Sequence, residues 1–157
     1  RLLDLVEQGA FDAQNKDTWK SLNQLAAKGE ALVPGEFRTG YVGIGGTDYT
    51  PPDASELNEI FDREMDRIRR IPNAIEKAYV CSAWSAMNKF FWNGNKRTGR
   101  LIMNAILMEN GFDALTIPAK GRLEYNEACL ELYEKRNASA LFEFLRDQHL
   151  KISNPNR

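Results

Sequence analysis

The sequence predicts a single, mostly α-helical domain that carries one short β-hairpin. Three observations predict it. Apolar residues recur every three or four positions through most of the chain, the spacing of amphipathic helices. One window, residues 37–50, instead gathers Phe37, Tyr41, Val42, Ile44 and Tyr49 around a Gly45-Gly46 pair. The third is size: 157 residues, 43% of them hydrophobic, make one domain with enough apolar material for a core without disulfides or a structural metal.

Taken in order, Leu2 to Glu7 reads as a short helix and Asp17 to Lys28 as a second, stopped by Gly29. The 37–50 hairpin follows, and an isolated hairpin must lean on the helices or on a partner strand. After Pro51-Pro52, Asp53 can cap a helix whose stripe is Leu57, Ile60, Phe61, Met65, Ile68 and Ile71. Pro72 starts another helix running through Ile75, Tyr79, Ala83 and Ala86 towards Phe90. A break spelled NGNKRTG precedes Leu101–Met108, which is apolar on almost every side and reads as a buried central helix ending at Gly111. Two further helices fit about 120–135 and 138–150.

Composition narrows the function classes. Lys plus Arg number 21 against 22 Asp plus Glu, a net charge of −1, which argues against an overall grip on DNA or on an anionic membrane. No apolar run reaches eighteen residues, and the first residues lack the core of a signal peptide, so the chain reads as cytoplasmic. Cys81 and Cys129 read as buried thiols of a reducing compartment. The single histidine, His149, reads as a surface or helix-terminal residue and rules out a Cys/His zinc site. Trp84, Met87, Met103 and Met108 read as core, and Trp92 as either pocket lining or loop packing.

Charge is unevenly spread. No acid lies between Glu76 and Glu109, while Lys77, Lys89, Lys96, Arg97 and Arg100 supply five positive charges, four of them around the break. Gly94 lets backbone amides approach a ligand, Asn95 offers an amide, and a helix beginning near Lys96 points free N–H groups at the same place. That combination is an anion site, with phosphate the usual occupant. Arg97 and Arg100, three apart, can face one group and fork onto its oxygens.

The string Lys89-Phe-Phe-Trp-Asn-Gly-Asn-Lys-Arg-Thr-Gly-Arg100 resembles the Fic signature H-x-F-x-[DE]-G-N-[GK]-R-x-x-R at Phe91, Gly94, Asn95, Arg97 and Arg100. GEFRTGYVGIGG with YTPPDASELNEIF resembles the flap hairpin and next helix of Fic domains; LIMNAILMENGF and the last two helical stretches resemble the rest. The likeness covers about residues 15–150 of a domain taken as 1–157, with the flap at about 37–50 and the signature loop at 89–100. It implies a Fic-type helical bundle that moves AMP from ATP onto a protein hydroxyl with Mg²⁺. It further implies that Gly94, Asn95, Lys96, Arg97 and Arg100 cradle phosphates and that Phe91 anchors the loop. Tyr41, Val42, Gly43 and Ile44 would dock the target protein by strand-like pairing.

Two catalytic positions depart from that pattern. Lys89 stands where the family has its histidine base, and a lysine at its ordinary pKa of about 10.4 is protonated at neutral pH. Burial and neighbouring cations lower such a pKa, so Lys89 is a weak candidate base and a good phosphate contact. Asn93 replaces the acid that binds Mg²⁺ and brings no charge, so metal affinity falls. Where AMP-transferring members usually have glycine, this sequence has Lys96, and the Doc kinases likewise have lysine. The inhibitory pattern [ST]-x-x-x-E-[GN] has no match, since Ala105 precedes Glu109-Asn110. Inhibition is then left to a separate protein or to a segment before Arg1, or is unnecessary where catalysis is already weak. The readings open at this point are an adenylyltransferase with weak or lost activity, a nucleotide-binding pseudoenzyme, a Doc-like protein kinase and a protein-interaction module without nucleotide.

Overall fold

The computed structural model describes residues 2–153; Arg1 and residues 154–157, counted above in the same domain, lie outside them. Among the described residues the chain forms seven α-helices and no strand. They are α1 (Leu2–Glu7), α2 (Lys16–Ala26), α3 (Leu57–Ile68), α4 (Ala74–Asn88), α5 (Asn95–Glu109), α6 (Arg122–Lys135) and α7 (Ser139–Ser153). Short 3₁₀ turns, Ala54–Glu56 and Ala119–Gly121, lead into α3 and α6. Among these described residues no helix is long and apolar enough to cross a membrane.

Local chemistry sets the helix starts. The Asn15 side chain accepts from the Asp17 N–H and Asn73 from the Glu76 N–H, each cap worth about 1 kcal/mol. Asp53 accepts from both the backbone and the hydroxyl of Ser55, capping the 3₁₀ turn rather than α3 itself. The α3 stripe is buried at Leu57, Ile60, Phe61, Met65 and Ile68, with Ile71 just beyond the helix end. Helix α5 is central: it packs on α4, α2 and α1. It approaches α4 closely because Gly99 has no side chain, and a Cβ there would lie 2.8 Å from Ser85 Cβ. Trp19, Phe61, Trp84 and Phe90 meet in edge-on and tilted contacts at centroid distances of 4.7–5.9 Å, filling the space between α2, α3 and α4. Trp84, Met103 and both cysteines lie in the core; burial pushes the Cys81 thiol up to about 12.

Two expectations are corrected. Residues 37–50 do not form a β-hairpin: they are an extended loop with a turn at Gly45-Gly46, and its one bridge joins Phe37 to Phe91. The two limbs are tied to the signature loop and to helices instead of to each other. Arg38 N–H donates to the Phe90 carbonyl, Tyr49 Oη donates to the Met87 carbonyl, and the Tyr49 ring stacks on Tyr133 at 5.6 Å. With glycine at 40, 43, 45 and 46, too few side chains remain to make the cross-strand pairs that stabilise a two-stranded ribbon. His149 is not at the surface. It is buried on the inner face of α7, where its Nδ1 lies 3.3 Å from Tyr79 Oη, and among the described residues its Nε2 has no hydrogen-bond partner.

Candidate functional site

The signature loop joins the end of α4 to the start of α5. Lys89 terminates α4 in the left-handed region, at φ 49° and ψ 59°, and the two phenylalanines that follow are fully buried. Phe91 is clasped from the far side of the loop by Asn95, whose Oδ1 accepts from the Phe91 N–H (3.0 Å) and whose Nδ2 donates to its carbonyl (2.9 Å). The Asn95 amide, expected to meet the ligand, is therefore turned inward. Gly94 has φ 72°, a conformation that favours glycine, and a Cβ on it would crowd Ala27 Cβ at 3.1 Å, just beyond the end of α2. Gly94 is the N-cap of α5, and the N–H groups of Asn95, Lys96 and Arg97 have no helical acceptor.

Around this turn lies a cavity of about 660 Å³. The sequence-predicted residues Lys89, Asn93, Gly94, Asn95, Lys96, Arg97 and Arg100 all line it, as do Val42 and Gly43 of the flap segment; Tyr41 and Ile44 do not. Trp92 lines it too while packing on the flap, since a Cβ on Gly40 would lie 2.9 Å from its ring. The opposite wall comes from Ile117, Arg122, Tyr125 and Asn126, which sequence reasoning missed. They are distant in sequence, and only the docking of α6 beside the loop brings Arg122 in as a fifth cation. Among the described residues no Asp or Glu lines the cavity.

The cations are held apart rather than aimed at one point. Arg100 Nη1 donates to Tyr125 Oη at 3.1 Å, with its guanidinium 5.3 Å above that ring. Lys96 lies over the Tyr125 and Tyr133 rings at 5.8 and 5.9 Å. Arg97 turns the other way, to Glu30 on the loop after α2, at 3.1 and 2.5 Å. Burial, then the charges of Lys96 and Arg38, pull Lys89 below the ordinary lysine range, with Cys129 opposing. Asn93 carries the loop's link to α2: its carbonyl accepts from Asn23 Nδ2 at 2.9 Å, while its Oδ1 accepts from the Gly94 N–H at 2.7 Å. Asn23, 0% exposed, also donates to Thr98 Oγ1 and accepts from the Gly35 N–H, so one amide fixes three segments.

Comparison with known proteins follows the same parts of the chain. The sequence model of the Fic/DOC family matches residues 14–107. Protein adenylyltransferase fic-1 of Caenorhabditis elegans is 31% identical over 104 residues, 65% of this chain and 20% of its own length. Protein adenylyltransferase Fic of Drosophila melanogaster is 26% identical over 145 residues, 87% of this chain and 28% of that protein. Among solved structures, a Fic family protein from Desulfovibrio desulfuricans superposes with a TM-score of 0.79 at 18% identity, over 99% of this chain and 52% of the other. C. elegans Fic-1 gives 0.72 at 20% identity, over 98% and 47%. At those identities the superpositions show a shared fold, and the chain spans only 20–28% of the length of these curated relatives.

Proposed function

The chain belongs to the Fic/DOC family, and on that premise we propose that it binds ATP in the cationic pocket and moves AMP only slowly onto a hydroxyl of a target protein. One observation carries the reading: five cations and the open N-terminus of α5 surround one cavity, with no Asp or Glu among the described residues that line it. Its volume suits a nucleotide. Free N–H groups at a helix start and guanidinium forks are the donors that phosphate oxygens seek. The uncharged lining residues Trp92, Ile117, Tyr125 and Asn126 leave a wall for the nucleoside.

Target docking on the flap is part of the proposal. Among the described residues nothing bonds to the main-chain groups of Tyr41, Val42 or Gly43, and an extended segment with free donors and acceptors suits strand addition by a peptide.

Slow transfer follows from Lys89 and Asn93. Lys89 holds its proton more weakly than an exposed lysine, yet general-base work needs it neutral at the operating pH. Its main contribution is a positive charge beside the phosphates. The donor set does not suit a protein-held Mg²⁺: among the described residues the lining has no Asp or Glu, Asn93 Oδ1 is engaged by Gly94, and five cations repel a divalent ion.

Incubating the protein and a cell lysate with ATP, with and without Mg²⁺, and weighing the products by intact mass tests this. ATP should bind, shown by calorimetry, and transfer should rise about a hundredfold or more in Lys89→His with Asn93→Asp, the range that a positioned general base contributes. Wild type labelling as fast as that double variant would refute the account of the two substitutions. Gain of phosphate in place of AMP would assign the Doc-like direction, and absence of ATP binding would sink the nucleotide reading.

A further inference from the structure

We infer that Glu30, which lies outside the cavity lining, is the resident counter-ion of Arg97, and that a polyphosphate ligand in the cavity takes Arg97 by exchange with that carboxylate. The inference rests on phosphate binding at this cavity. Glu30 lies 67 positions before Arg97 yet meets its guanidinium through both carboxylate oxygens, at 3.1 and 2.5 Å. Among the described residues, Arg97 is the one cavity-lining cation with an acidic partner: Arg100 bonds to a neutral phenol, and Lys89, Lys96 and Arg122 have no ion pair.

The placement of Glu30 is built. Its N–H donates to the Ala27 carbonyl at 3.0 Å, and Gly35, closing the same loop, donates to Asn23 Oδ1 at 2.9 Å. Asn23 also holds the Asn93 carbonyl, so the loop bearing Glu30 and the loop bearing the phosphate site hang from one buried amide. Glu30 itself stays about half exposed, so the pair can open without unpacking anything. The sequence shows none of this, because Glu30 has Ala26 four residues before it and Ala31 after it, outside any inhibitory pattern.

An exposed ion pair of this kind holds its arginine by a factor of about two to five. The displaced carboxylate, still nearby, adds repulsion that grows with ligand charge and is screened by salt. Glu30→Gln should therefore tighten ATP and ADP by about three- to tenfold at low ionic strength. Inorganic phosphate should gain less, and the gain should shrink at about 0.5 M NaCl.

The experiment is calorimetric titration of ATP, ADP and inorganic phosphate into wild type, Glu30→Gln, Arg97→Met and the double variant, each first checked for folding by circular dichroism. The expected result is a gain on Glu30→Gln that disappears when Arg97 is already Met. Unchanged or weaker ATP binding in Glu30→Gln, with wild type binding, overturns the inference, as does an equal gain in the Arg97→Met background. ATP binding by none of the four chains sinks the phosphate reading and the inference with it.

Discussion

Lys89 adopts the left-handed conformation, which costs a residue with a side chain about 1–2 kcal/mol, and its ammonium is half-buried among other cations. Both features destabilise the fold, and one depends on pH. Below its lowered native pKa, Lys89 is charged in both folded and unfolded chains, so the native state bears the whole burial penalty. As pH rises through that pKa the native chain releases the proton first, and stability recovers until the ordinary lysine value, about 10.4, is reached. Lys89→Met should thus stabilise the protein near neutral pH by about 0.5–1 kcal/mol, or roughly 2–4 °C in Tm per kcal/mol at this size. The advantage should fade as pH climbs towards 10. Melting curves between pH 6 and 10 read this directly, and an advantage that stays flat with pH would mean that burial of charge is not what Lys89 costs. The residue's place in the pocket was legible from its spacing to Gly94; its left-handed backbone was not. Asn23, Asn95 and Glu30 were opaque for a common reason: their partners lie 4 to 75 positions away, and a polar residue does not announce which carbonyl it will meet.

Helices were the readable elements. A 3.6-residue apolar period survives any tertiary arrangement, so each helix was foreseeable and most ends fell within a few residues of the expected ones, displaced by caps such as Asn73. The flap was misread because Gly-Gly between apolar residues signals a hairpin only if cross-strand pairs exist to support it. Here Tyr49 and Phe37 spend their contacts on α4, α6 and the signature loop. Helix contact is also where a sequence rule and the structure make opposite predictions. Alanine is favoured over glycine inside a helix by about 1 kcal/mol, which recommends Gly99→Ala in α5. The new Cβ, however, would meet Ser85 Cβ at 2.8 Å and the Ser82 carbonyl at 3.3 Å, and neither is the tip of a flexible side chain. Forcing α4 from α5 costs about 1–3 kcal/mol, enough to outweigh the propensity gain. Urea unfolding should show Gly99→Ala less stable than wild type; equal or greater stability would mean that the two helices can separate freely.

At the scale of the molecule, the flap, the signature loop and the approach to α3 are joined by one buried side chain. Arg38, 3% exposed, donates to the carbonyls of Gly40, Pro52, Asn88 and Lys89 at 2.5–3.2 Å, and its own N–H donates to Phe90. A planar fork with several donors can span acceptors on separate segments, and these four carbonyls take the place of a carboxylate partner. The chain shares its helical scaffold with a Fic family protein, and α4 and α5 frame the signature loop; Arg38 is what fixes the flap beside that loop without a β-ladder. Arg38→Met would strand up to four buried carbonyls, at about 2–4 kcal/mol in all. Arg38→Lys should recover little, because one ammonium cannot reach the same set. The flap should then loosen before the helical core does, so limited proteolysis of Arg38→Met should cut first within residues 39–50, well before wild type is cut anywhere. First cuts in α4 or α5, or an Arg38→Lys protein as stable as wild type, would show that the flap is held by Tyr49 and Phe37 and that Arg38 is merely accommodated. With the flap loosened, ATP binding should persist at the α5 N-terminus while target labelling falls. That split separates the part of the site made by the helices from the part made by the loop laid across them.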